Sequence, residues 1–469
     1  MRIEVFKELQ PYSIGDLQSI LSLNEENVRE LLKSLSLMNI TRKLSKNTSK
    51  IELEELFGTE NLIDINTKFE SEMFLFKYVG MLTVNDVCLI IYPKYMDTYQ
   101  EDKGNGYIKL KQLISVIRKY QSKNQNQSTI LGDENEHNSL AITLALIEDY
   151  LEHGLYSNDR QIIEENGSGE VLWEKTLNES TVYFSNGIPV YLDLFTLNQE
   201  SNEKDFFRQL HRIVLSGACK KLEEVLNIIG IEPINLTDVQ LSALGGEEYI
   251  INKINQELGV QFVTRKQFLL KLIKNYITNE SGSQIDERIS FVGTNAFNLV
   301  WEDVCSEVYG DCINMSIQEM GLQFKDDKKF STTLADVVEK PKWTHFKSRK
   351  THEASKTLTP DIITITDDHF SIYDAKYYQI KLDENGVANN PGVGDITKQY
   401  LYELAYKEFI KENGLVMAEN AFLFPYEGDE NITIGAATME MFQNISNLSE
   451  IKVILLPAHN LYAEYLNYQ

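Results

Sequence analysis

Two aspartates and a lysine stand in the run "TPDIITITDDHFSIYDAKYYQIK", residues 359–381, at positions where they can share one task. Side chains two apart on a strand point to the same face, so Asp374 and Lys376 project together. "DIITIT" is a second short β-branched strand, and Asp367-Asp368 is the expected turn between the two. A tight hairpin there sets Thr366 opposite His369. Counting back along both arms brings Asp361 opposite Asp374. Directly opposed residues have Cβ atoms roughly 4.5–5.5 Å apart, and like charges at that distance repel. A divalent cation removes the conflict, and hard Mg²⁺ (or Mn²⁺) prefers carboxylate oxygens. The expected chemistry is phosphodiester hydrolysis. The metal activates a water and neutralises phosphate charge, while Lys376 orients the attacking water and stabilises the negative charge that develops. Pro360 favours an extended start just before Asp361.

The elements around this hairpin follow from hydrophobic spacing. "TNAFNLVWEDVCSEVY", 294–309, reads as an amphipathic helix with Phe297, Val300, Trp301, Val304 and Val308 on one face. Glu302 lies at the edge of that face and is the expected third metal ligand. Downstream come a Gly-rich loop (385–394), the helix "DITKQYLYELAYKEFIKE" carrying Gln399 and Tyr402, and strands near "ENAFLFPY" and "IKVILLP". Helix, hairpin, helix, strand, strand is an α/β layer arrangement. Just upstream, "EKPKWTHFKSRKTHEASK" interleaves Lys340, Lys342, Lys347, Arg349 and Lys350 with Trp343, His345 and Phe346. Lys342, Lys347, Arg349 and Lys350 are the expected contacts to DNA phosphates.

The rest of the chain limits the possibilities. Acidic residues outnumber basic ones 70 to 45, a formal charge of −25 over 469 residues. Such a chain does not attract nucleic acid through its overall field, so DNA contact needs a local basic patch or a partner that holds the DNA. Cys88, Cys219, Cys305 and Cys312 are scattered, with no zinc or iron–sulfur spacing. No GxxxxGK[ST] loop occurs, no apolar run reaches a membrane span, and the first residues lack a secretory apolar core. A cytoplasmic protein without membrane contact is expected.

Residues 13–45 outline two helices, the second capped by Asn24, and the strand-like pieces beyond them complete a winged-helix pattern. Residues 68–95 read as antiparallel strands turning at Asn85-Asp86, with Gly80 at a bend. A helix follows at 107–120, a polar stretch at 122–137, and a strong helix at 140–155. From 200 to 285 the pattern is helical and free of obvious chemistry, ending in a basic helix with Arg265, Lys266, Lys271 and Lys274. The expected architecture is mixed α/β and multidomain. Its segments are a winged-helix-like one (1–65), a β-rich one (66–165), a helical spacer (166–285) and the α/β segment with the charged hairpin (286–469).

Pro360-Asp361 followed by Asp374-Ala375-Lys376 resembles the PD-(D/E)xK nuclease superfamily, which implies a restriction-endonuclease-like α/β fold and Mg²⁺-dependent DNA cleavage. One branch of that superfamily carries QxxxY on the next helix, which implies a catalytic role for Gln399. Here Glu403 stands four residues on, and the tyrosines are at 400, 402 and 406. "YVGMLTVNDVCLIIYPKY", the helix "LAITLALIEDYLEHGL" and "GSGEVLWEKT" resemble McrC-type restriction subunits, and "VLWEKTLN" looks most like the LlaJI-family restriction endonucleases. That resemblance implies a nuclease subunit that docks, through residues 68–165, on a McrB-like AAA+ GTPase or ATPase and cuts double-stranded DNA. Two other readings stay open: a RecB- or Cas4-like repair or processing nuclease, and a non-catalytic adaptor that links DNA to an AAA+ protein.

Overall fold

The computed structural model describes residues 2–44, 72–84, 87–123, 139–158, 160–200, 205–281, 289–324, 332–446 and 448–467. The expected turn at Asn85-Asp86 and most of the polar stretch 122–137 lie outside them. The fold is mixed α/β with several sheets. It divides into two compact units, one formed by residues 1–126 with 291–469, the other by residues 127–290.

The first unit holds a five-stranded mixed sheet in the order Ile362–Thr366, His369–Ala375, Val416–Tyr426, Ile451–Pro457, Ile432–Ala437. The three inner strands run parallel, and the outer two pair antiparallel. The inner strands are nearly continuous apolar runs because helices cover both faces. On one face Ile363, Phe370 and Ile372 share a core with Tyr402, Tyr406 and Phe409 of the helix Val393–Glu412. Tyr373, the alternate residue, meets the ring of Tyr309 from the helix Phe297–Tyr309 at 4.9 Å. The outer edge is blunted: Ile363 N donates to Asp311 Oδ1 at 2.9 Å, and Cys312 N donates to Ile363 O at 2.8 Å.

A second sheet orders Arg2–Lys7, Val87–Tyr92, Val79–Val84 and Ile289–Thr294. The first two strands are parallel, so the chain's opening strand joins a sheet built from residues some eighty positions later. Gly80 has φ +140, and a Cβ there would lie 2.3 Å from Val292 O and 2.5 Å from Gly293 Cα. Only glycine lets these two backbones approach so closely.

Between the opening strand and that sheet, the helices Ile14–Leu21 and Glu25–Leu37 are flanked by the strands of a small sheet, Tyr12–Ser13 before them and Thr41–Leu44 and Met73–Phe76 after. The helix pair matches the one expected from the sequence, but the strand Met73–Phe76 lies beyond the expected 1–65 boundary, and Arg2–Lys7 leaves that segment for the second sheet. Asn24 caps the second helix as expected, its Oδ1 accepting from Asn27 N at 2.8 Å.

The second unit contains a three-stranded sheet of Arg160–Glu165, Phe195–Glu200 and Glu170–Val171. With it are the hairpin Val182–Ser185/Ile188–Tyr191 and the helices Ser139–His153, Phe206–Lys221, Glu247–Val260 and Thr264–Ser281. The basic last helix spends part of its charge internally. Arg265 makes two 2.8 Å hydrogen bonds to the buried Asp149 carboxylate, and Lys266 Nζ donates to Ser157 O at 2.6 Å.

Candidate active site

The hairpin register is the one the sequence predicts. Thr366 pairs with His369 and the ladder continues to Ile362 opposite Tyr373, so the next step brings Asp361 level with Asp374. Asp361 also caps the end of the ladder: Ala375 N donates to its Oδ2 at 3.2 Å. Asp374 lies on the same strand face as Phe370 and Ile372, so an apolar, helix-covered stripe ends in a carboxylate. The strand beyond stays pinned, because Lys376 N donates to Leu423 O at 2.9 Å.

Lys376 Nζ sits 2.8 Å from Asp374 Oδ2 and 3.0 Å from Asp395 Oδ1. The contact with Asp374 is a close ion pair with a buried carboxylate oxygen. Burial works against the Lys376 charge, but Asp374 and Asp395 outweigh it and hold the ammonium above its usual range. The carboxylates behave oppositely. Desolvation pushes the Asp361 carboxyl up, Asp374 and Glu302 push it further, and Lys376 pulls it back, leaving it at about 7. Solvent still reaches Asp361 as a residue, which weakens these repulsions by screening. Glu302 is raised too, by burial first and then by Asp374. Three carboxylates and one lysine therefore share one field at the end of the hairpin.

Among the described residues no three His, Cys, Asp or Glu side chains converge into a ready-made metal cage. The donors are nevertheless of the right kind for a hard divalent cation: carboxylates that repel one another, with a buried oxygen of Asp374 among them. The Lys376 ammonium supplies the neutralising charge in their midst.

The helix Val393–Glu412 divides its polar residues between site and interior. Tyr402 faces the charges. Its phenol is pushed up to about 12 by burial and then by Asp374 and Asp361. Gln399 is fully buried, and its Nε2 donates to Ala421 O at 3.2 Å on the strand adjoining that of Asp374. Glu403, in the QxxxY tyrosine position, is internal as well. It accepts from Asn420 Nδ2 at 3.0 Å and Ser449 N at 2.9 Å. Asp395, the second anchor of Lys376, was not singled out from the sequence. An acid in the first turn of a helix is commonplace, and nothing in its spacing announces a lysine partner.

The strand that carries Asp374 and Lys376 is also tied to the second sheet. Tyr377 Oη donates to the buried Glu8 carboxylate at 2.5 Å, and Lys94 N donates to the same Oε2 at 3.2 Å. Lys94 Nζ lies 4.8 Å from the centre of the Tyr377 ring. Burial raises Glu8 and lowers Lys94, so each is the other's compensation. The Pro-Lys that closes the strand Val87–Tyr92 is thus an internal buttress of the segment following the Asp374 strand.

The basic segment upstream forms an exposed hairpin, Lys342–Thr344 paired with Thr351–Glu353, with Lys347, Arg349 and Lys350 at its tip. The four cysteines are free and buried, and no described helix is long and apolar enough to cross a membrane.

A family model described as LlaJI restriction endonuclease matches residues 78–456. The Type II restriction enzyme BsuMI component YdjA of Bacillus subtilis (strain 168) is 27% identical over 406 residues, 84% of this chain and 81% of that protein. Two solved structures from Thermococcus gammatolerans overlap the chain at 13% identity. The half-complex of the tetradecameric assembly of McrB AAA+ hexamers with bound McrC covers 99% of both chains with a TM-score of 0.35. The McrBC complex covers 69% of this chain and 89% of its counterpart with a TM-score of 0.25.

Proposed function

The chain belongs to the LlaJI restriction endonuclease family, and from that premise we propose that it is the DNA-cutting subunit of a restriction system, hydrolysing phosphodiester bonds at Asp361, Asp374 and Lys376. The observation that carries this reading is the hairpin register, which sets two carboxylates against each other with a lysine two residues on. Asp361 and Asp374, supported by Glu302, would hold Mg²⁺ or Mn²⁺, and the ion would supply an activated water and charge neutralisation at the phosphate. Lys376 donates to the attacking water and to the phosphate oxygens as negative charge builds. Asp395 would keep the ammonium aimed at the site with Asp374 serving the cation. Tyr402 closes the helix side against solvent. Gln399 acts as a positioning residue, locking its helix to the central strand through Ala421 O.

A multi-component enzyme suits both the charge and the sequence. At −25 the chain repels DNA at long range, and it has no P-loop of its own. The Bacillus relative is itself a component of its restriction enzyme. We assign the partner as a McrB-like AAA+ GTPase or ATPase that holds double-stranded DNA for this subunit.

The test is plasmid cleavage by the purified chain with and without a McrB-like AAA+ protein, with nucleotide and Mg²⁺ each omitted in turn. Cleavage that needs every component, and that is lost in Asp374→Ala, is the expected result. Full cleavage by Asp374→Ala would reject the catalytic assignment.

A further inference from the structure

The hairpin upstream of the site carries more than charge. Its register pairs Trp343 with His352 on one face, and Lys342 with Glu353 and Thr344 with Thr351 on the other. Lys342 is matched to Glu353 at 3.9 Å, whereas Lys347, Arg349 and Lys350 make no ion pair among the described residues. The tip is built rather than loose. His345 N donates to Lys350 O at 2.9 Å, Arg349 N donates to His345 O at 2.8 Å, and His345 Nδ1 meets Ser348 Oγ at 2.9 Å. Arg349 takes up a left-handed backbone, φ +55, to close it. On this ordered tip Phe346 is 85% exposed, and on the arm below it Trp343 is 72% exposed.

A large aromatic held in water by a structured tip is waiting for a partner, and three unpaired cations beside it select a polyanion with apolar interior surfaces. Duplex DNA is such a partner. A two-stranded ribbon fits a groove, and apolar wedges enter between base pairs while flanking Arg and Lys hold phosphates. We propose that this hairpin is a DNA-deforming ribbon in which Lys347, Arg349 and Lys350 grip the backbone and Phe346 wedges into a base step. Trp343 braces the groove wall on the ribbon's flat face. The proposal rests on the chain acting on DNA, but not on its cutting it. Unstacking a step gives the enzyme a bent duplex that a flat-lying strand would not present.

The experiment uses the full chain in EDTA at low salt, so that no cleavage occurs, with short duplexes carrying 2-aminopurine at successive positions. Wild type should raise the fluorescence several-fold at one or two adjacent positions, as should Asp374→Ala. Phe346→Ala should lose most of that rise while the salt slope of binding stays the same, and Phe346→Leu, still an apolar wedge, should keep much of it. The triple change Lys347→Gln, Arg349→Gln, Lys350→Gln should reduce the salt slope by about 2–3, close to one per phosphate contact. Circular dichroism and melting should be unchanged in the Phe346 and triple variants, since these residues are exposed. A wild type that binds without a fluorescence rise, or a rise that survives Phe346→Ala, overturns the wedge. An unchanged salt slope in the triple variant, or no binding by wild type, overturns the ribbon as a DNA contact and points to a protein partner for the aromatics. Unstacking with no cleavage once Mg²⁺, the AAA+ partner and nucleotide are all supplied would reject the catalytic reading and leave the wedge standing.

Discussion

The Asp361 carboxyl, at about 7, has a folded-state pKa well above that of an unfolded aspartate. The folded chain therefore favours its protonated form. The stabilising contribution is complete below about pH 4 and is lost as pH rises through about 7. Asp361→Asn removes the ionisation, so in EDTA its melting temperature should rise relative to wild type as pH goes from 5 to 8. The gain is about 1 kcal/mol at pH 8, kept small because solvent reaches the residue. A gap that does not change with pH would disprove the carboxylate conflict. Adding Mg²⁺ should raise the melting temperature of wild type and leave Asp374→Ala nearly unmoved. Asp395 invites a separate test. Asp395→Asn takes away one of the two carboxylates that hold up the Lys376 pKa. The alkaline limb of the kcat profile should move to lower pH, with kcat down roughly tenfold, about 1.4 kcal/mol, and KM little changed. An unmoved limb would make Asp395 a bystander.

Two elements of the fold rest on backbone conformation. The hairpin turn places Asp367 at φ +56, which aspartate tolerates and a β-branched residue does not. Asp367→Gly should be neutral or slightly stabilising, while Asp367→Val should cost about 1–2 kcal/mol in urea denaturation. Equal midpoints for the two variants would mean the turn does not set the register. The second element is the seam between Val79–Val84 and Ile289–Thr294. A methyl at Gly80 meets backbone on the other strand, which has no flexible end to move aside. Gly80→Ala should destabilise by roughly 3 kcal/mol or more and loosen hydrogen-exchange protection along both strands. Ordinary protection in Gly80→Ala would show that the strands can separate without loss.

At the scale of the molecule, charge decides behaviour. A net −25 works against DNA at long range, and physiological salt screens this only beyond roughly 8 Å. The basic hairpin is too small to reverse it. The isolated chain should bind duplex DNA weakly at 150 mM salt, and its cleavage should rise at least 100-fold when the AAA+ partner and nucleotide are present. Deleting residues 68–165 should abolish that stimulation. The Glu8 and Lys94 buttress predicts that such a deletion also loosens the strand of Asp374, so melting of the truncated chain must be measured alongside. Efficient cutting by the chain alone, without nucleotide, would turn the reading toward a stand-alone nuclease.

Residue order alone determined the local features. Period-two side-chain alternation and a two-residue turn suffice to set Asp361 against Asp374, because a short hairpin leaves no other register that keeps Ile363, Phe370 and Ile372 on the buried face. The Asn24 cap, the flanking helices and the absence of a P-loop are equally local properties. Other features depend on chain segments that meet only in the fold. Asp395 holds Lys376 because the start of one helix lands beside the end of one strand. The opening strand Arg2–Lys7 pairs with Val87–Tyr92, and Glu8 reaches Tyr377 across 369 positions. Gln399 and Glu403 turn inward because their helix needs polar partners for the central strand's carbonyl and for Asn420, while Tyr402 rotates to the charged side. Spacing along a helix gives faces but not which neighbour each face meets, and that choice belongs to packing.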